Sequence, residues 1–122
     1  MEGIWEDSDY ITNGHWLFKA REMSRLELRV LRSMPGPINE EALPDKIHTM
    51  GNALATAVLL ETAPQGVALS SKYALLVADM ELVALWAGPL PGSGSLPLLL
   101  IRRGDKIVGV IMPKQVTEGE DG

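Results

Sequence analysis

Cysteine is absent from the chain. That excludes disulfides, thiolate metal centres and a cysteine nucleophile, and it fits a reducing compartment. Histidine is scarce: His15 and His48 stand on unrelated stretches with no Glu or His at ligand spacing, so neither a metal centre nor imidazole catalysis is expected. No apolar run approaches the roughly 20 residues that span a bilayer, and no charged-then-apolar leader with a cleavage site opens the sequence. A soluble, cytoplasmic protein with no membrane partner is the expectation. The glycines between Gly88 and Ser95 lack the Gly-Lys-Ser/Thr ending that grips phosphate in a P-loop. Arg103-Gly104-Asp105 spells a cell-adhesion tripeptide, but without a secretory signal it reads as turn chemistry. No nucleophile, base and orienting group can be assembled. The sequence therefore predicts no catalytic residues, no cofactor and no enzyme.

What is present is enough for one core. The 122 residues are 46% hydrophobic, which suits a single domain over 1–122 and is too short for two ordinary ones. Residues 1–9 and 116–122 are acidic and are expected to be loosely held. The net charge of −5 argues against a generally adhesive nucleic-acid binder, although a total conceals how charge is distributed.

The stretch from Val67 to Pro113 organises the reading. Val67-Ala68-Leu69 is a strand, and Ser70 or Ser71 can cap a helix running to Met80. Tyr73, Leu76, Val77 and Met80 recur on one face of that helix at i, i+3, i+4 and i+7. The sheet beneath it is supplied by Leu82–Trp86, Leu98–Ile101 and Ile107–Ile111. The last two join through Arg103-Gly104-Asp105 as a hairpin. Pro89 to Pro97 reads as a flexible loop by composition.

Earlier in the chain, Asn13-Gly14 is the strongest hairpin signal and joins strands that hold Tyr10, Trp16 and Phe18, the last two expected on opposite faces or edges. Met23, Leu26, Val30 and Leu31 give helical spacing between Lys19 and Ser33, stopped by Pro35-Gly36-Pro37. Arg21, Arg25, Arg29 and Arg32 line one stripe of that helix. They read either as a solvated face or as a track for successive phosphates that is blind to base sequence. A short helix is expected near 45–52 and a strand near 55–61, with Ala55 to Glu61 open to either form.

Three of these segments resemble the bacterial DNA polymerase III beta sliding clamp. Gly66 to Leu76 is similar to the strand-to-helix entry of its last repeat, whose helix carries a tyrosine. Val108-Gly109-Val110-Ile111-Met112-Pro113 resembles its closing strand, and Thr12-Asn13-Gly14-His15-Trp16-Leu17 is similar to its Thr-Asp-Gly-His-Arg-Leu hairpin. Asn13 departs from the usual acid, Trp16 from the arginine, and Lys114-Gln115 from the final Met-Arg.

The resemblance implies an α+β, DNA-clamp-like fold: an antiparallel sheet with helices on one face, a strand–helix–three-strand repeat, and a truncated first repeat. It implies a non-enzymatic replication or repair accessory that takes short peptides of polymerases or repair proteins in an apolar pocket. Thr12, Gly14, His15, Trp16, Leu17, Val110, Met112 and Pro113 would form that pocket. Met112-Pro113 also reads simply as the finish of an edge strand, and Leu17 as ordinary core. Arg21, Arg25, Arg29 and Arg32 would face duplex DNA, and encircling it would need a homo-oligomer. The alternative is a protein-only adaptor or decoy that keeps the pocket and binds no DNA.

Overall fold

The computed structural model describes residues 2–88 and 97–115, so all of the expected Pro89–Pro97 loop but Pro97, and all of 116–122, lie outside the described residues. Among the described residues, ten strands and three α-helices follow in chain order. β1 (Glu2–Gly3), β2 (Trp5–Glu6), β3 (Tyr10–Thr12) and β4 (Trp16–Lys19) lead through a 3-10 turn at Ala20–Glu22 into α1 (Arg25–Arg32). β5 (Gly36–Pro37), α2 (Leu43–Thr56), β6 (Val67–Ala68), α3 (Ser71–Asp79), β7 (Val83–Ala87), β8 (Leu98–Arg103), β9 (Lys106–Ile111) and β10 (Lys114–Gln115) complete it.

The class is mixed α+β around an antiparallel six-stranded sheet of order β2-β3-β4-β9-β8-β7. Strand alternation divides its side chains between two cores. On one face Trp16, Phe18, Leu99 and Ile101 pack with Leu31 of α1 and with Tyr73, Leu76 and Val77 of α3. On the other, Leu17, Leu98, Leu100 and Val110 meet Met50, Ala53 and Leu54 of α2. The expected helices on one face are thus α1 and α3, and α2 covers the second face. Trp16 and Phe18, expected on opposite faces or edges, share one instead, ring centroids 5.4 Å apart in a T-shaped pair.

A bulge links sequence to packing in β9. Ile101 pairs with Gly109 but Arg102 pairs with Ile107, so Val108 is an extra residue and both Val108 and Gly109 turn toward the α1/α3 side. Gly109 lies under the Phe18 ring, where a Cβ would stand 2.4 Å from Cδ1. Only glycine fits there.

The second half of the chain matches its sequence pattern closely. α3 buries Tyr73, Leu76 and Val77 and half-buries Met80, and Ser70 occupies the N-cap position without a side-chain capping bond. β6 does not join the main sheet; it pairs with β10.

The first half departs in four places. Helix α1 begins at Arg25 rather than Lys19, because Ser24 and Glu27 close a reciprocal capping box there. Its buried side is Leu31 with Leu28 partly buried, whereas Leu26 and Val30, expected inward, are 70% and 42% exposed. Helix α2 runs to Thr56 through Gly51 and Asn52, and no strand spans 55–61. Gly51 faces the Tyr10 ring, whose hydroxyl lies 3.3 Å from where a Cβ would be. Leu59 makes an isolated bridge to Ala87, and the Leu60 N–H donates to the Trp86 carbonyl. The acidic start is held by short pairings: β1 with β5 and β2 with β3.

Candidate functional site

The turn between β3 and β4 is organised by one buried amide. Asn13 Oδ1 accepts from the N–H groups of His15 (2.8 Å) and Trp16 (3.0 Å), which forms the turn locally. Its Nδ2 donates outward to the Met34 carbonyl (3.1 Å) and the Tyr73 hydroxyl (3.1 Å), tying the turn to the chain after α1 and to α3. Thr12 Oγ1 donates to the Trp16 carbonyl and accepts from Gly14 N–H. Gly14 takes φ +92° with the Pro37 carbonyl close against it, a position closed to any side chain.

His15 sits at the edge of this network. Its Nδ1 lies 3.3 Å from the Tyr73 hydroxyl. The Tyr73 hydroxyl, which accepts from Asn13, keeps a proton to donate, and a neutral imidazole with its hydrogen on Nε2 can accept it. Burial, then the positive charges of Lys46 and Lys72, hold the His15 pKa below its ordinary value.

Beside the turn, the backbone N–H of Met112 donates to the His15 carbonyl at 2.7 Å. β4 and β9 pair as Trp16 with Ile111 and Leu17 with Val110, so the sheet ladder delivers Met112-Pro113 to the mouth of the turn. A groove of about 330 Å³ results. His15, Tyr73, Met112 and Pro113 line it, with Ser70, Lys72 and Lys114 around them. Lys72 Nζ stands 5.0 Å from the centroid of the Tyr73 ring. Two cations thus border an apolar recess.

Of the eight expected pocket residues, the groove brings together His15, Met112 and Pro113. Thr12 and Gly14 are buried and shape the turn from beneath. Trp16 is fully buried in the α1/α3 core and is not at the entrance; Leu17 and Val110 are fully buried against α2 on the opposite face. These three are core. Ser70, Lys72, Tyr73 and Lys114 are the lining residues that sequence reasoning missed. The tyrosine at the start of the helix was the available signal, since a buried phenol needs a polar partner.

The arginines are unequal. Arg32 forms a two-pronged ion pair with Glu6, Nε to Oε1 at 2.8 Å and Nη2 to Oε2 at 2.7 Å, and Arg21 lies 3.5 Å from Asp9. Arg25 and Arg29 are exposed and make no ion pair among the described residues. Arg25, Leu28, Arg29 and Arg32 border a shallow depression along α1. Arg21 lies in the 3-10 turn before the helix, so the helical stripe is Arg25, Arg29 and Arg32.

Among the described residues no group of three or more His, Asp or Glu is placed to hold a metal ion, and no helix is long and apolar enough to cross a bilayer. No protein-family model matches the chain, and no curated protein or solved structure compared with it gives a significant match.

Proposed function

We propose that this chain is a non-enzymatic, sliding-clamp-like replication or repair accessory whose working surface is the groove beside His15, where it holds a short linear peptide of a polymerase or repair protein. The observation that carries this reading is the meeting of two distant segments, the turn at residue 15 and the strand end at Met112-Pro113, around one apolar recess. Met112 and Pro113 accept an apolar anchor, and the flexible thioether adapts to different ones. On this reading residues 67–111 are the strand–helix–three-strand repeat, with its leading strand β6 paired to β10 instead of to the main sheet, and the first half is its shortened counterpart.

Contact with duplex DNA rests on Arg25 and Arg29, because Arg21 and Arg32 already face acids. With few phosphates neutralised, such binding is weak and salt-sensitive. Those same ion pairs favour a second reading, a protein-only adaptor that uses the groove without DNA. Closure into a ring by edge pairing would use β2 or β7, and the outer edge of β7 is partly bonded by residues 58–60.

A fluorescence titration with a labelled clamp-binding peptide tests the groove. Wild type binds saturably and Met112→Ala binds at least about fivefold more weakly, a loss typical of a truncated apolar anchor. Equal binding by the two proteins, or none by either, removes the proposal. Arg25→Glu with Arg29→Glu separates the two readings, since only the clamp-like one loses duplex binding.

A further inference from the structure

We propose that the groove between α1 and the C-terminal end of α3 is a second docking surface, which takes a basic peptide segment carrying an apolar side chain next to Lys or Arg. The groove has a volume of about 470 Å³ and shares no lining residue with the groove at His15. Its floor is apolar and open: Leu26 is 70% exposed, Val30 is 42% exposed, and Met80 is half-buried beside them. Helix α1 already seats Leu31 and Leu28 in the core, so Leu26 and Val30 form a second apolar face with no partner among the described residues.

Charge selects the occupant. Glu27 is engaged by Arg103, whose guanidinium also donates to the Glu22 carbonyl, so the basic group at this site is consumed. Asp79 and Glu81 are exposed on the rim and make no ion pair among the described residues. Among the lining residues the uncompensated charge is therefore negative and lies next to an apolar floor, while Arg25 and Arg29 border a separate depression of α1; this suits a cation with an apolar neighbour and disfavours a phosphate or an acidic peptide.

Glu81 strengthens the assignment. It ends α3 at φ 54°, where its N–H donates to Ala78 and that of Leu82 donates to Val77, the paired bonds of a Schellman motif. Glycine takes this left-handed position without strain, and glutamate does not. A carboxylate held at that cost in backbone conformation, on the rim of an open groove, is the pattern of a side chain kept for contact rather than for folding.

The test uses the full chain with methyl-labelled methionine, titrated with a short Leu/Arg peptide and with the same peptide carrying Glu in place of Arg. The Met80 methyl signal shifts saturably with the Arg peptide and Met112 does not move. Glu81→Gly binds about two- to fivefold more weakly, the range for an exposed ion pair, while its melting temperature rises because the strain is relieved. Leu26→Ser also weakens binding and stays folded, since Leu26 lies outside the core. An unmoved Met80, equal affinity for the two peptides, or unchanged binding by Glu81→Gly overturns the proposal. So does self-association of the free protein that Leu26→Ser abolishes, because a second copy would then be the occupant.

Discussion

The amide of Met112 and the carbonyl of His15, 97 residues apart in sequence (112 − 15), are joined by a 2.7 Å hydrogen bond. It extends the β4–β9 ladder one step past Trp16 and Ile111 and turns the end of the sheet into one wall of a groove. The opposite wall is Tyr73, fixed by its bonds to Asn13 and His15. The groove therefore inherits its geometry from the core beneath it.

Asn13 is the point where an acid is excluded. Its Nδ2 gives hydrogen bonds to Met34 and Tyr73 that a carboxylate cannot give, and a carboxylate would face the Met34 carbonyl oxygen. Asn13→Asp is expected to lower stability by about 2–4 kcal/mol at neutral pH. The loss shrinks in acid, where the buried carboxyl is protonated and can donate again. Urea unfolding at two pH values checks both statements.

Stability falls on acidification first through His15. Its folded pKa is held below the ordinary 6.5 by burial and then by Lys46 and Lys72, so the unfolded chain binds the proton more readily. This contribution is complete above pH 6.5 and is lost as pH falls through the lower folded value. A second loss follows below 4.5 as Glu6, lowered mainly by its hydrogen bond to Arg32, is protonated. Thermal melts across this range should show His15→Gln flattening the first limb and leaving the second.

Gly109→Ala places a methyl group 2.4 Å from the Phe18 ring. Overpacking of this kind costs about 1–3 kcal/mol. Adding Phe18→Leu should recover part of that loss, giving a non-additive cycle in denaturant unfolding. Additive losses would mean that the ring and the glycine do not meet.

Legibility in the sequence followed the strength of local signals. α3 and the β8–β9 hairpin were readable because apolar period and turn residues agree there, and Asn13-Gly14 located the first turn. Helix α1 carries apolar residues on two sides, and spacing alone does not say whether Leu26 or Leu28 faces the sheet. Its true start was nonetheless written in the Ser24-x-x-Glu27 box. Helix α2 passes through Gly51 and Asn52 against local propensity because Met50, Ala53 and Leu54 bury against Leu17, Leu100 and Val110, residues far away in sequence. The groove was half legible: His15, Met112 and Pro113 were visible as motif residues. Leu17 and Val110 belong to the same motifs but alternate to the other face, and Tyr73 enters only through the tertiary fold.

The most direct measurement is a methyl NMR spectrum of the labelled protein, whose six methionines include Met112 in the groove, Met80 at the α1/α3 site and Met50 in the α2 core. With saturating clamp-binding peptide, the account predicts a shift at Met112 while Met80 and Met50 stay in place. A saturated complex in which Met112 is unmoved would contradict it.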